Sequence, residues 1–224
     1  MPTAAVIVAH PDDEVLWCGG LILQRPTWDW FILTLCRGDD SDRSTRFRQV
    51  LNYLGAQGEM ANLDDGVEQT PLDPSVVRHV IREGLPRRAY DLVVTHGPAG
   101  EYTRHRRHEE CYQAVMALWT DGQLRAGQLK LFAYDDQEGT KLPQARANAD
   151  ELQTLDADIF SRKYHIITKL YGFNEQSWEA RTTPRIEGFS RIETPDQAED
   201  LFNSPSPPDV DELGDTLPWT RRDG

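Results

Sequence analysis

The 224-residue sequence predicts an α/β protein with a doubly wound, mostly parallel sheet and helices on both faces. Short apolar runs alternate with helical patterns, which is the β-α-β rhythm of a parallel sheet. The expected strands are 3–9, 29–36, 58–62, 90–95 and 128–134. The expected helices are 13–24, 42–55, 74–84 and 106–120. Right-handed crossovers would make the first and fourth strands neighbours, as in Rossmann-like folds.

The first strand is followed by Ala-His-Pro-Asp-Asp-Glu at positions 9 to 14. Pro11 fixes its own φ and disfavours the α region at His10, so the strand should end there. A helix should then begin near Asp12 or Asp13. One imidazole and two carboxylates therefore lie at the strand's exit, and these are usual nitrogen and oxygen donors for zinc. The alternative is that one aspartate only caps the helix and that His10 is a loop histidine.

A second group of donors follows the fourth strand. A catalytic zinc commonly has about three protein ligands and one open position, so a third ligand must come from elsewhere. The best candidates are His105 and His108 in His-Arg-Arg-His, because residues three apart lie on one face of a helix. Both groups follow apolar strands, and the binding crevice of an open parallel sheet lies at the carboxyl ends of its strands. The sequence therefore predicts a metal site at this edge.

At these residues the sequence resembles the PIG-L/LmbE-like family of zinc-dependent N-acetylglucosaminyl deacetylases. The family signature is Ala-His-Pro-Asp-Asp-Glu near the N-terminus and a later His-x-x-His, and both occur here in order. The resemblance covers roughly residues 1–135. Two features differ from the family pattern. One extra residue separates Tyr102 from His105, and Arg106 and Arg107 stand where relatives commonly use a proline.

The resemblance implies a hydrolase that removes an acetyl group from the amide nitrogen of an N-acetylglucosamine-type substrate. It implies His10, Asp13 and His108 as ligands of Zn²⁺, with Fe²⁺ as an alternative divalent ion. Asp12 would be the general base that takes a proton from water. His105 would stabilise the negative charge that develops on the carbonyl oxygen.

Three further residues are candidates for contact with the substrate. Arg43 occupies the position at which relatives carry a substrate-contacting arginine, although a solvated arginine at a helix start is an equal alternative. Tyr102 would assist His105 in stabilising the negative charge on the carbonyl oxygen. Arg104 and the arginines at 106 and 107 form a basic patch that would hold a phosphate or carboxylate, or else pair with nearby glutamates.

Composition excludes some classes of function. The formal net charge of −13 at pH 7 argues against broad affinity for nucleic acid or anionic membranes, which would repel the chain. No apolar run approaches the roughly 20 residues of a membrane span, and no secretory signal is visible, so we expect a cytoplasmic location. The odd count of three cysteines fits buried thiols. The expected partner is a small-molecule N-acetylated sugar conjugate, and self-association into a homo-oligomer is left open.

A change in composition divides the chain in two. Residues 1–192 should form one deacetylase domain, in which 157–171 has the apolar spacing of a late helix. Residues 193–224 are Pro-rich and acidic, and they bury too little apolar surface to offset their chain entropy. We therefore expect a flexible C-terminal tail.

The sequence leaves two other functions open. A metallohydrolase acting on a different ester or phosphoester would use the same site. A non-catalytic α/β ligand-binding module would explain the fold without chemistry. Comparing acetate release with phosphate release distinguishes the metallohydrolase of another substrate from the deacetylase. A protein whose properties do not change when chelators are added would favour the binding module.

Overall fold

A computed structural model describes residues 1–103, 105–194 and 197 of the chain. Its strands are β1 (Thr3–Val8), β2 (Asp29–Cys36), β3 (Gln57–Leu63), β4 (Leu92–Thr95), β5 (Leu129–Phe132), β6 (Tyr134–Asp135), β7 (Gln144–Ala145), β8 (Glu151–Thr154) and β9 (Ile186–Ile192). Its helices are α1 (Asp13–Leu23), α2 (Ser41–Leu54), α3 (Pro74–Gly84), α4 (Arg106–Thr120), α5 (Ala157–His165) and α6 (Trp178–Thr182). A π-helical segment, Ile166–Leu170, follows α5 directly.

The central sheet contains seven of the described strands in the order β3-β2-β1-β4-β5-β9-β8. Strand β1 is parallel to both neighbours, with Val6 opposite Ile32 of β2 and Val94 of β4. Strand β9 is antiparallel to both β5 and β8. The predicted doubly wound, mostly parallel sheet is therefore confirmed, including the adjacency of the first and fourth strands.

Helices cover both faces of the sheet. Successive residues of a strand point to opposite faces, so each strand contributes to both layers of the core. Val6 and Val8 of β1 belong to one apolar core with residues of α1, α2 and α5. Ala5 and Ile7 belong to a second core with residues of α3 and α4. All four side chains are fully buried, which explains why β1 reads as a continuous apolar run.

The C-terminal part of the sheet was not predicted. The late helix expected over 157–171 is present as α5 and the π-helical segment, whereas β8, β9 and α6 add to the expected elements. Strand β9 does not follow a simple apolar alternation, because Glu187 is fully buried whereas Ile186 is 44% exposed. The usual period-2 signal of a half-buried strand is therefore weak in this segment.

Helix α1 is interrupted at Cys18, whose φ of −142° and ψ of 19° are not helical. Beyond this kink, the Glu187 carboxylate of β9 accepts hydrogen bonds from the N–H groups of Gly20 and Leu21 at 2.7 and 2.8 Å. Lys163 of α5 lies 2.7 Å from the same carboxylate, and both side chains are fully buried. The ion pair thus satisfies backbone groups that a helix start leaves without partners.

None of the described helices has the length and apolar character required of a membrane-spanning helix. The cysteines Cys18, Cys36 and Cys111 are buried and free. Apart from 193, 194 and 197, the predicted tail at 193–224 lies outside the described residues. The division of the chain at residue 192 therefore stays a prediction.

Candidate metal centre

The carboxyl ends of β1 and β4 bring the two predicted donor groups together. His10 lies two residues beyond β1, Asp13 begins α1, and His108 lies in the first turn of α4. The Nδ1 atom of His10 is 3.2 Å from Oδ2 of Asp13. The Nε2 atom of His108 is 3.3 Å from each of these two atoms. We call these three atoms the donor triangle.

The donor triangle has the dimensions of one face of a tetrahedral metal site. Ligand atoms about 2.0–2.2 Å from a tetrahedral Zn²⁺ lie about 3.3–3.6 Å from one another. The observed edges of 3.2, 3.3 and 3.3 Å are close to these separations. Two imidazoles and one carboxylate are also a common protein ligand set for a catalytic zinc. The residues present therefore fit a divalent ion.

Neighbouring donors are less suited to the ion. His96 accepts a backbone N–H through Nε2 at 2.9 Å, and its Nδ1 lies 2.8 Å from Glu101, so both ring nitrogens already have partners. Burial raises the pKa of the Cys36 thiol, so an ion at this position would have to displace a firmly held proton. Asp65, which lies near Cys36, forms an ion pair with Arg37 at 2.8 Å.

A carboxylate lies near the other ring nitrogen of each histidine of the donor triangle. Oε2 of Glu101 is 2.6 Å from Nδ1 of His108, and Oδ1 of Asp65 is 3.2 Å from Nε2 of His10. Carboxylates in this position fix the tautomer and the ring orientation of a metal-binding histidine. The arrangement therefore directs Nε2 of His108 and Nδ1 of His10 toward the centre of the site.

The electrostatics of the buried site favour a cation. Burial opposes the ionisation of Glu101, but the adjacent His96 and His108 outweigh it and lower the pKa of Glu101 to about 2. Burial also opposes a charge on His108, but Asp13 and Glu101 raise its pKa to about 9. His108 also lowers the pKa of Asp13, so the carboxylates of Asp13 and Glu101 stay ionised and hold a proton on His108. A divalent ion at this site would take the place of that proton.

Asp12 adopts a strained backbone conformation, with φ of 139° and ψ of −29°. Its N–H donates to Oε2 of Glu14 at 3.0 Å, and the Tyr171 hydroxyl donates to the other oxygen of Glu14. Among the described residues, the Asp12 side chain makes no capping hydrogen bond to α1. Strain of this kind costs about 1–3 kcal/mol and occurs often at active sites. The interpretation of Asp12 as a simple helix cap is therefore disfavoured.

The remaining predicted residues have different outcomes. The ring centre of His105 is 4.7 Å from those of His10 and His108, so it lies at the site. The ring centre of Tyr102 is 5.3 Å from that of His108, despite the inserted residue. Nη1 of Arg43 is 3.7 Å from Oδ2 of Asp12.

The two described arginines of the predicted basic patch differ in burial, because Arg106 is exposed and Arg107 is buried. Arg107 is 2% exposed and donates to Glu110 and to the backbone carbonyls of Asp64 and Thr70. For Arg107 the structure therefore shows the second of the two alternatives, pairing with a nearby glutamate. Arg104 lies outside the described residues, and its predicted contact with substrate stays a prediction.

The residues that support the donor triangle are not among the predicted site residues. His96 and Asp65 follow β4 and β3, so their position at strand exits was an available signal. Glu101 lies six residues beyond β4, and no local pattern marks it as a partner of two histidines. Tyr171 is 157 residues from its partner Glu14, and no local pattern predicts such a pair.

Glu101→Gln is expected to weaken metal binding by about 10–100-fold, the usual effect of changing a residue that orients a metal ligand. Three nitrogen atoms, of His96, Gly97 and His108, share the two carboxylate oxygens of Glu101. The glutamine amide offers them only one oxygen. Competition with a chromogenic chelator measures the Zn²⁺ affinity. Glu110→Gln is the matched control, because Glu110 also lies on α4 but bonds Arg107 and the Leu72 backbone instead. Equal affinities in the two variants would contradict the assignment.

Comparisons with known proteins agree with this geometry. A family model described as GlcNAc-PI de-N-acetylase (PIG-L) matches residues 5–119, slightly more than half of the chain. An uncharacterised protein of Acanthamoeba polyphaga mimivirus is 25% identical over 118 residues, which are 46% of this chain and 52% of that protein. The chain thus covers about half the length of this relative.

Solved structures share the fold at low sequence identity. N,N'-diacetylchitobiose deacetylase from Pyrococcus horikoshii has a TM-score of 0.65 and 17% identity, over 92% of this chain and 86% of that chain. The 4-carboxy-2-hydroxymuconate hydratase GalB from Pseudomonas putida has a TM-score of 0.61 and 16% identity, over 86% and 96%. Teicoplanin deacetylase, in a zinc-inhibited form, has a TM-score of 0.57 and 15% identity, over 76% and 84%.

Proposed function

Since the chain belongs to the GlcNAc-PI de-N-acetylase family, we propose that it is a metal-dependent N-deacetylase. The substrate would be a small molecule of the N-acetylglucosamine type, from which the enzyme removes an acetyl group at the amide nitrogen. The observation that carries the proposal is the donor triangle of His10, Asp13 and His108, which has the edges of a tetrahedral site. Asp12 and His105 flank it.

His10, Asp13 and His108 would hold the ion, which we propose to be Zn²⁺, with Fe²⁺ as the alternative. When bound, such an ion polarises a carbonyl group and lowers the pKa of water to about 7. Two neutral imidazoles and one carboxylate would leave the site with a net positive charge. The carboxylates of Glu101 and Asp65 would keep the two imidazoles in the orientation that binding requires.

The chain's own residues supply the proton transfers. Asp12 would take a proton from the attacking water and pass it to the departing amine nitrogen, as a general base and then a general acid. Its strained backbone is held by Glu14, so the carboxylate is fixed before substrate arrives. His105 lies beside the donor triangle and would donate a hydrogen bond to the carbonyl oxygen as negative charge develops there.

Two described residues are candidates for holding the sugar. Arg43 lies beside Asp12, and its guanidinium carbon is 5.0 Å from the ring centre of Phe173. Its side chain is 31% exposed, which leaves part of the guanidinium accessible to a substrate hydroxyl or anion. Tyr102 packs at 4.8 Å against Trp178 and would contact the acyl group or sugar beside His105. Arg104, outside the described residues, is proposed as a third contact.

The activities of similar proteins support an amide substrate without identifying it. Two are deacetylases of a chitobiose derivative and of teicoplanin, whereas GalB is a hydratase. Their identities to this chain of 15–17% establish the shared fold alone. Acetate release from N-acetylglucosamine, diacetylchitobiose and N-acetylglucosaminyl phosphatidylinositol tests the proposal. Water addition to an unsaturated acid, or phosphate release, without acetate release would contradict it. The cytoplasmic location and a homo-oligomer stay predictions.

Removal of the metal is expected to stop acetate release. Dialysis against a chelator should reduce turnover to the background rate, and one equivalent of Zn²⁺ should restore it, because the proposed chemistry needs a strong Lewis acid. Mg²⁺ is the matched control, since it prefers six oxygen ligands and binds a site with two imidazoles poorly. Full turnover in the chelated protein would rule out metal dependence and favour a different chemistry.

A further inference from the structure

We propose that Trp17 is a positioning residue of the metal centre: its indole N–H holds one oxygen of Asp13, so that only the other oxygen faces the ion. Nε1 of Trp17 donates to Oδ1 of Asp13 at 3.0 Å. Both side chains are fully buried, so water does not compete for this hydrogen bond. The inference rests on the metal site of the proposed function and is independent of the substrate.

The two oxygens of Asp13 have separate surroundings. Oδ2 accepts the backbone N–H of His10 at 2.9 Å and forms one corner of the donor triangle. Oδ1 points to the indole of Trp17 instead. A carboxylate can bind a metal through one oxygen or through both. The indole hydrogen bond favours the first mode, which keeps the coordination number low and leaves a position open for water.

The position of the Trp17 indole is fixed by contacts with α1 and with β6. Trp17 lies four residues after Asp13, so the two side chains share one face of α1. The kink at Cys18 follows immediately, and the carbonyl oxygen of Trp17 accepts the Tyr134 hydroxyl at 2.8 Å. The ring centres of Trp17 and Tyr134 are 4.9 Å apart. The tyrosine of β6 therefore holds both the backbone and the ring of Trp17.

This support comes from the part of the chain beyond the family match at 5–119. Tyr134 anchors α1 before the kink, and the Glu187–Lys163 pair anchors it after the kink. The C-terminal strands thus act on the metal centre through α1, although they supply none of its proposed ligands.

The test is Trp17→Phe, which keeps a buried aromatic ring and removes the N–H donor. We expect the Zn²⁺ affinity to fall by about 10–100-fold, the usual effect of losing a group that orients a metal ligand. We also expect the visible bands of the Co²⁺-loaded protein to weaken, because the released Oδ1 joins the coordination and raises the coordination number. Chelator competition and absorption spectroscopy measure these effects without any substrate.

Trp30→Phe is the matched control. Trp30 is 1% exposed, and its indole N–H donates to the Arg25 carbonyl at 3.0 Å. It lies opposite Ala4 near the amino end of β2, away from the donor triangle. Both variants should lose comparable thermal stability, but only Trp17→Phe should lose affinity. An affinity within about threefold of the unaltered protein, the same loss in Trp30→Phe, or Co²⁺ bands of unchanged intensity in Trp17→Phe would each overturn the proposal.

Site-specific replacement of Trp17 by benzothienylalanine provides the test if Trp17→Phe does not fold. This analogue keeps the shape of the indole and has sulfur in place of the N–H group. The same affinity loss is expected, and an unchanged affinity would overturn the proposal. Absence of metal from the unaltered protein would instead refute the metal site itself, which distinguishes that failure from a failure of the role of Trp17.

Discussion

His108→Ala is expected to reduce the metal content of the purified protein from about one divalent ion per chain to a small fraction of that value. A catalytic zinc with three protein ligands loses a third of its protein coordination when one is removed. His108 is fully buried, so alanine leaves an enclosed cavity at this corner of the donor triangle. Metal analysis after gel filtration gives the content, and acetate release should fall with it.

His79→Ala is the control for this variant, because His79 is an exposed histidine of α3 that contacts none of the proposed ligands. It should retain the metal content and the turnover of the unaltered protein. Undiminished metal in His108→Ala would refute the proposed ligand set. The group of His10, His105 and His108 would then also be excluded, since it shares the same residue.

The clustering of the proposed donor residues could be predicted because these residues follow apolar strands that the sequence identifies. Strand β1 is buried on both faces, so its residues are apolar throughout, and Pro11 marks its end. The strand order then places the exits of β1 and β4 side by side. The apolar strands and the polar residues that follow them therefore predicted both the fold and the location of the proposed donors.

The supporting residues could not be predicted, because their role depends on contacts between distant parts of the chain. By residue type Glu187 is expected at the surface, yet in β9 it is fully buried against α1 and Lys163. Tyr171 follows the π-helical segment, and nothing in the sequence indicates that its hydroxyl reaches Glu14. Burial of polar groups needs specific partners, and only the three-dimensional structure supplies them.

The separation of binding from chemistry is tested by Asp12→Asn, in which we expect the metal content to remain and turnover to fall by roughly 10²–10⁴. Asparagine has the size of aspartate and tolerates positive φ about as well, so the strained loop should keep its shape. The amide cannot take a proton from water, which removes the general base. Acetate release at saturating substrate, together with metal analysis of the same sample, gives both values.

Asp13→Asn is the paired variant, because it makes the same chemical change one residue later. It replaces the carboxylate whose Oδ2 forms a corner of the donor triangle, so the metal should be lost. Opposite results, with metal lost in Asp12→Asn and kept in Asp13→Asn, would show that the two aspartates have exchanged roles. Near-normal turnover in a metal-loaded Asp12→Asn protein would instead mean that another group takes the proton. His105 would be the first to test, because it lies beside the triangle and its imidazole can accept a proton.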